Sequence, residues 1–184
     1  MAAFRRVDSE LKFAGAVIDV YNVRFETPTG ELIDRDVVHH PGAVSVVPLH
    51  DDNTVTVVRQ FRAAFEREIL EIPAGKRDVE GELLEAVAQR ELQEEVGLRA
   101  KELRKLISLE HSPGFCDEVN HIYLATGLMP VARSTDGAEE DYMTIHRIPL
   151  GDVFDLIARG EIADAKSVAG LLLAHHVVFG DVTR

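Results

Sequence analysis

Covalent cross-linking is almost absent from this sequence: Cys116 is the one cysteine among 184 residues. No intrachain disulfide can form, so the chain does not need an oxidising compartment. No stretch approaches the ~20 apolar residues of a membrane span, and residues 1–13 (MAAFRRVDSELKF) lack the apolar run of a signal peptide. We therefore expect a cytoplasmic protein with no membrane partner. Basic residues are few beside acidic ones, 20 against 32, giving a formal net charge of −12. A surface that acidic repels phosphate backbones, which argues against nucleic acid as a partner. Small anionic substrates stay open if a metal ion inverts the local field. Gly and Pro are too few for a collagen-like or low-complexity chain, nothing repeats at a fixed period, and no Pro- or Ser-rich linker divides the sequence. One mixed α/β domain is the expectation, with the first forty residues as a possible extension.

Residues 11–26 (LKFAGAVIDVYNVRFE) are rich in Val, Ile, Phe and Tyr and read as strand. Thr27-Pro28-Thr29-Gly30 reads as a turn, with 31–40 returning as a second strand. A further pair, 42–50 and 54–61, flanks the polar turn Asp51-Asp52-Asn53, so the first sixty residues read as mostly antiparallel hairpins. Residues 82–96 change period: Leu84, Val87 or Ala88, Leu92 and Val96 recur at helical spacing, and Gly97 stands where a glycine ends a helix. Strands follow near 103–111, 119–126 and 142–148, the last after a polar loop at 132–141. Helices near 149–159 and 165–179 close the chain.

The stretch with chemical content is Arg90-Glu91-Leu92-Gln93-Glu94-Glu95-Val96-Gly97. Glu91, Glu94 and Glu95 are spaced i, i+3 and i+4 and share one helix face. Like charges at that spacing cost roughly 0.2–0.5 kcal/mol per pair. They also sit in the last turns, where the helix dipole prefers cations. A solvated acidic face with Arg90 bridging to Glu94 is the plain reading, but a divalent cation on hard oxygen ligands would relieve the repulsion directly. His39-His40 and His175-His176 are adjacent pairs that cannot face one metal, and Cys116 lacks the electropositive setting of a reactive thiolate.

Gly75, Glu82 and Arg90-Glu91-Leu92-x-Glu94-Glu95-x-Gly97-Leu98 together resemble the signature of the Nudix hydrolases. The departure is upstream, where six residues separate Gly75 from Glu82 instead of the usual five. The resemblance implies a Nudix fold, a mixed β-sheet sandwiched between helices, here with an N-terminal β extension (1–40) before the hydrolase domain (41–184). It also implies that Glu91 and Glu95 are principal Mg²⁺ ligands (Mn²⁺ being the other candidate), that Glu94 is a third or water-mediated one, and that the Ala74 carbonyl is a further ligand. Arg90 would orient the carboxylates and Glu82 would support the site.

Arg59-Gln60-Phe61-Arg62, Leu70-Glu71-Ile72-Pro73-Ala74-Gly75, Ser112-Pro113-Gly114-Phe115 and Gly160-Glu161-Ile162 with Lys166-Ser167 look like the ADP-ribose pyrophosphatase branch. By that resemblance, Arg62 would contact the substrate diphosphate or terminal ribose, and Glu71 would help hold substrate or order the metal site. Ser112 and Gly114 would line the ribose pocket, with Glu118 nearby. Arg35 would reach the nucleotide across a homodimer interface built by the extension. The general base in that branch is a glutamate on the loop before the last strand, here Glu140 or Glu139, with Asp136 and Asp141 beside them. The implied activity is Mg²⁺-dependent cleavage of ADP-ribose to AMP and ribose 5-phosphate. A nucleotide-sugar or general nucleoside diphosphate hydrolase, and a non-catalytic nucleotide-binding domain, are the alternatives.

Overall fold

The computed structural model describes residues 3–79, 81–134 and 142–180. It divides into two units, Met1–Gly42 with Glu110–Val119, and Ala43–Leu109 with Asn120–Arg184.

The first unit is an antiparallel sheet of β1 (Arg5–Ala14), β2 (Asp19–Glu26) and β3 (Leu32–His39), in that order. The span 11–26, read as one strand, is therefore two. Gly15 N donates to Ile18 O at 2.9 Å and reverses the chain, which strand composition alone does not reveal. The second reversal falls where Thr27-Pro28-Thr29-Gly30 signals it, with Gly30 at φ +88° and its N–H on Thr27 O. Segment 110–119 of the same unit is tied to β3: Val38 N donates to Phe115 O at 2.7 Å, and His40 N to Asp117 Oδ1 at 2.9 Å.

The second unit holds the main core. β4 (Ala43–Pro48) is buried at every residue and pairs antiparallel with β7 (Ala74–Lys76) on one edge and parallel with β10 (Val119–Thr126) on the other. β9 (Glu102–Glu110) completes a four-stranded sheet, ordered β7-β4-β10-β9. β5 (Thr54–Arg62) lies in a different sheet, between β12 (Thr144–Pro149) and β6 (Arg67–Glu71). The expected hairpin of 42–50 with 54–61 thus does not form beyond one bridge, Leu49 to Val55. Both edges of β4 are already taken, so β5 has no ladder to join there. The turn itself is as expected, with Asn53 in the left-handed region at φ 59°. Two short strands, β8 (Leu98–Arg99) and β11 (Met129–Pro130), pair with each other.

Two apolar clusters use opposite faces of β4. Val44 and Val46 pack with Val87, Ala88, Leu92 and Val96 of helix α1 (Leu84–Val96). Val47 packs with Ile72, Ile122, Leu171 and Ala174, the last two on helix α3 (Ala165–Phe179). Alternation along a strand sends neighbouring valines to opposite helices. Each such side chain contributes about 1.5–3 kcal/mol of burial. The result is a mixed α+β fold with sheet between helices. A 3₁₀ turn, Leu150–Asp152, and the short helix α2 (Val153–Ala158) precede α3.

Candidate active site

α1 begins after Leu83 without a side-chain cap, so its stability comes from strong helix formers and the packed face. It stops at Gly97, whose φ of 62° is the left-handed ending a glycine adopts without penalty. Its buried residues are Val87, Ala88, Glu91, Leu92, Glu95 and Val96. Two carboxylates therefore occupy the stripe that should be apolar, one helical turn apart. Glu91 is 5% exposed and Glu95 4%. Ionised carboxylates withdrawn from water each cost several kcal/mol unless something compensates them.

The compensation comes from two sides. Ala74 N donates to Glu95 Oε2 at 2.9 Å, so β7 closes over the helix. Gly75 lies so near that a Cβ there would fall within the Glu91 carboxylate. The extra residue between Gly75 and Glu82 leaves this approach intact, because it falls in the connection after β7. On the other flank Arg90 Nη1 lies 2.9 Å from Glu91 Oε1 and 3.0 Å from Glu94 Oε2, and its Nη2 lies 3.5 Å from Glu82. Burial disfavours the Arg90 cation, yet Glu91 and Glu94 outweigh it and raise its pKa. Arg90 thus does bridge to Glu94, but it is shared with Glu91 as well. A cavity of about 370 Å³ lined by Gln89, Arg90, Gln93, Glu94, Arg99 and Ser134 lies along α1 and includes neither Glu91 nor Glu95.

A second charged group was not assembled from sequence. Arg62 makes a two-pronged pair with Glu71, Nε to Oε1 at 2.7 Å and Nη2 to Oε2 at 2.8 Å. Glu71, 2% exposed, also receives Lys166 Nζ, which donates in turn to Asp164 Oδ2 at 2.7 Å. Asp164 caps α3 by accepting from Ser167 N at 3.0 Å and from Ser167 Oγ at 2.6 Å. Ser167 Oγ accepts from Ile72 N at 2.9 Å. Burial pushes the Glu71 carboxyl upward, but the Arg62 hydrogen bond and the Lys166 charge hold it below its usual range. Asp164 follows the same pattern, burial opposed by Lys166 and Ser167 with the net shift downward. Arg62 is raised by its hydrogen bond to Glu71, and it also senses the charge of Glu95.

Lys166 stands in a quoted motif, but its contact with Glu71 was not read from sequence, and Asp164 was not singled out at all. One signal was available: a lysine in the first turn of a helix opposes the helix dipole and calls for an anionic partner.

The structure thus brings Glu91, Glu94, Glu95, Ala74, Arg90, Glu82, Arg62 and Glu71 into the second unit. Arg35, Ser112, Gly114 and Glu118 belong to the first. Arg35 is exposed on β3 opposite Val23 and donates to Asp34 O at 2.7 Å. Ser112 O accepts from Phe115 N and Cys116 N in a turn that includes Gly114, and Glu118 lies 3.2 Å from His111. Glu139 and Glu140, with Asp136 and Asp141, lie outside the described residues.

Among the described residues, no three acidic, His or Cys side chains already form a metal cage. The donor set still suits a hard cation. Mg²⁺ takes one or two carboxylates, keeps several waters and uses substrate oxygens for the rest. Two buried carboxylates beside a close-packed glycine backbone supply that pattern.

The family model for the NUDIX domain matches residues 39–170. This chain belongs to the Nudix family. Nudix hydrolases generally use divalent metal ions, in keeping with the buried carboxylate pair. The chain is 38% identical over 177 residues to an ADP-ribose pyrophosphatase of Mycobacterium tuberculosis (strain ATCC 25618 / H37Rv), covering 96% of this chain and 86% of that protein. It is 39% identical over 163 residues to an ADP-ribose pyrophosphatase of Bacillus subtilis (strain 168), with 89% and 88% covered. A crystal structure of an ADP compounds hydrolase superposes with a TM-score of 0.86 at 25% identity, covering 98% of this chain and 96% of that one. Helix α1 lies inside the matched range, and the mixed fold expected from the resemblance is the one observed.

Proposed function

We propose that this Nudix hydrolase is an Mg²⁺-dependent ADP-ribose diphosphatase releasing AMP and ribose 5-phosphate. The observation that carries the reading is the buried pair Glu91 and Glu95 facing the Ala74–Gly75 backbone. Similarity to two ADP-ribose pyrophosphatases over most of the chain supports the substrate. Glu91, Glu95 and the Ala74 carbonyl would hold the ion, with Glu94 as a third or water-mediated ligand. When bound, Mg²⁺ neutralises diphosphate charge and lowers the pKa of an attacking water.

The remaining tasks fall to side chains. Arg90 fixes the Glu91 and Glu94 carboxylates by charge. Arg62, held by Glu71 through Nε and Nη2, makes no hydrogen bond through Nη1 among the described residues and binds a diphosphate oxygen. Glu140, or Glu139 beside it, takes the proton of water as the new P–O bond forms and the bridging P–O bond breaks. Ser112 and Gly114 line the ribose pocket, with Glu118 nearby. Residues 1–40 serve as the dimerisation extension before the hydrolase domain 41–184, and Arg35 reaches the nucleotide of the other copy. A cytoplasmic location belongs to the same proposal. None of the described helices is long and apolar enough to cross a membrane.

The second reading, a broader nucleoside diphosphate or nucleotide-sugar hydrolase, is favoured by the likeness to an ADP compounds hydrolase. Product chromatography on ADP-ribose, ADP-glucose, GDP-mannose and NADH, with Mg²⁺ or chelator, separates the two. Preferential AMP release from ADP-ribose supports the first. Faster turnover of another member discards the branch while keeping the mechanism, and no metal-dependent turnover at all overturns both.

A further inference from the structure

Lys166 is the least expected charge in the protein. It is 5% exposed, sits at the start of a helix against the dipole, and lies 95 positions from Glu71, which it contacts. Arg62 and Lys166 balance Glu71 and Asp164, so the cluster is neutral as a whole. Its parts are not equivalent. Glu71 is shared between two cations, whereas Asp164 is engaged by Lys166 and by both Ser167 donors. Lys166 thereby takes up charge on Glu71 that would otherwise fall wholly on Arg62. The pair is joined to the acidic face by a short run of backbone: Arg62 holds Glu71, and Ala74, three residues on, donates its N–H to Glu95 at 2.9 Å.

We propose that Lys166 and Asp164 are positioning residues that set the net charge with which the Arg62–Glu71 pair meets a substrate diphosphate beside Glu91 and Glu95. The inference rests on the reading that Arg62 binds the diphosphate. Removing Lys166 leaves the cluster negative: Arg62 alone then faces the Glu71 charge, and it offers less to an anion. The same added negative charge favours a cation on Glu91 and Glu95. Removing the Asp164 charge does the opposite. Substrate and metal affinities should therefore move in opposite directions, and the two substitutions should move them with opposite signs. Loss of packing or of the α3 cap would weaken both ligands together.

The experiment uses full-length protein and two readouts. Mn²⁺ affinity is measured by electron paramagnetic resonance without substrate, and KM and kcat for ADP-ribose at saturating Mg²⁺. For Lys166→Met we expect KM to rise about three- to tenfold with kcat changed far less, while Mn²⁺ binds equally or more tightly. Asp164→Asn, which retains a capping side chain, should lower KM and loosen Mn²⁺. Lys166→Arg should restore the wild-type pattern in part. Parallel weakening of both ligands in both variants overturns the proposal, as does an unchanged KM. If Lys166→Met does not fold, Asp164→Asn decides alone by the sign of its two shifts. If wild type ignores ADP-ribose, the substrate reading falls, and the opposite Mn²⁺ shifts of the two variants still decide whether the cluster sets the field. An Arg62→Ala variant with normal KM rejects the diphosphate contact and this inference with it.

Discussion

Replacing Gly75 by alanine should separate stability from catalysis more sharply than any change to a carboxylate. The glycine is not in the left-handed region, so alanine can adopt its backbone, and the ladder from Val44 to Gly75 survives. The new methyl would land within the Glu91 carboxylate, which is the far end of a rotatable side chain. Moving that end off its rotamer costs about 0.5–1.5 kcal/mol. Restricting the unfolded chain by Gly→Ala returns about 0.4–1 kcal/mol. The net is within about 1 kcal/mol, a shift in Tm of roughly 2–4 °C for a chain of this size. Catalysis has no such offset. Displacing a ligand by about 1 Å can cost ~100-fold, near 2.7 kcal/mol of transition-state stabilisation. The assay is AMP release from ADP-ribose with Mg²⁺ beside a thermal melt. Near-native Tm with kcat/KM down about a hundredfold is the expected result. Full activity would show that the carboxylate position does not matter, and a collapse of Tm would show that Gly75 is there for packing alone.

Glu95→Gln keeps an acceptor for Ala74 N–H and loses the charge, so the fold should hold while turnover drops at least about a hundredfold; chelator should do the same to wild type, and residual activity in either would count against the metal site. Of Glu140→Gln and Glu139→Gln, one should flatten the acidic limb of the pH–rate profile, where kcat/KM rises as the general base loses its proton, and indifference of both would remove the loop from the mechanism. The Glu71 carboxyl, usually near 4.5, is held lower in the folded state. The unfolded chain therefore takes up the proton first as pH falls. The stabilisation from this pair is complete above the ordinary carboxylate value and is lost as pH drops through the folded one. Glu71→Gln should remove that portion, so the stability gap between variant and wild type narrows in urea melts below about pH 4.5. Light scattering should give a dimer mass, and a monomer at working concentration would refute the role proposed for residues 1–40.

What could be read from sequence followed the range of the interactions involved. α1 was legible to within two residues at its start, because Leu84, Val87, Leu92 and Val96 repeat locally and Gly97 closes the helix through its own backbone. The carboxylate face was legible for the same reason: the spacing of Glu91 and Glu95 is a property of one helix. Strand partnership was not. Residues 42–50 and 54–61 look like a hairpin because a turn joins them, yet β4 finds its neighbours in segments 74–76 and 119–126. The reversal at Gly15–Ile18 is hidden inside a continuous β-favouring run. The Lys166–Glu71 contact, spanning 95 positions, leaves no local pattern.

Ser167 holding the amide of Ile72 bears on how the protein is born. The helix bearing Glu91 and Glu95 leaves the ribosome early, but the segment Glu71–Gly75 that closes over it gains its second anchor only when α3 arrives. Roughly 70 residues separate Gly97 from Ser167, about 4–14 s of synthesis at ~5–20 residues per second. During that interval the nascent chain has both the acidic face and the Ala74 amide that meets it, but not the hydroxyl that fixes Ile72.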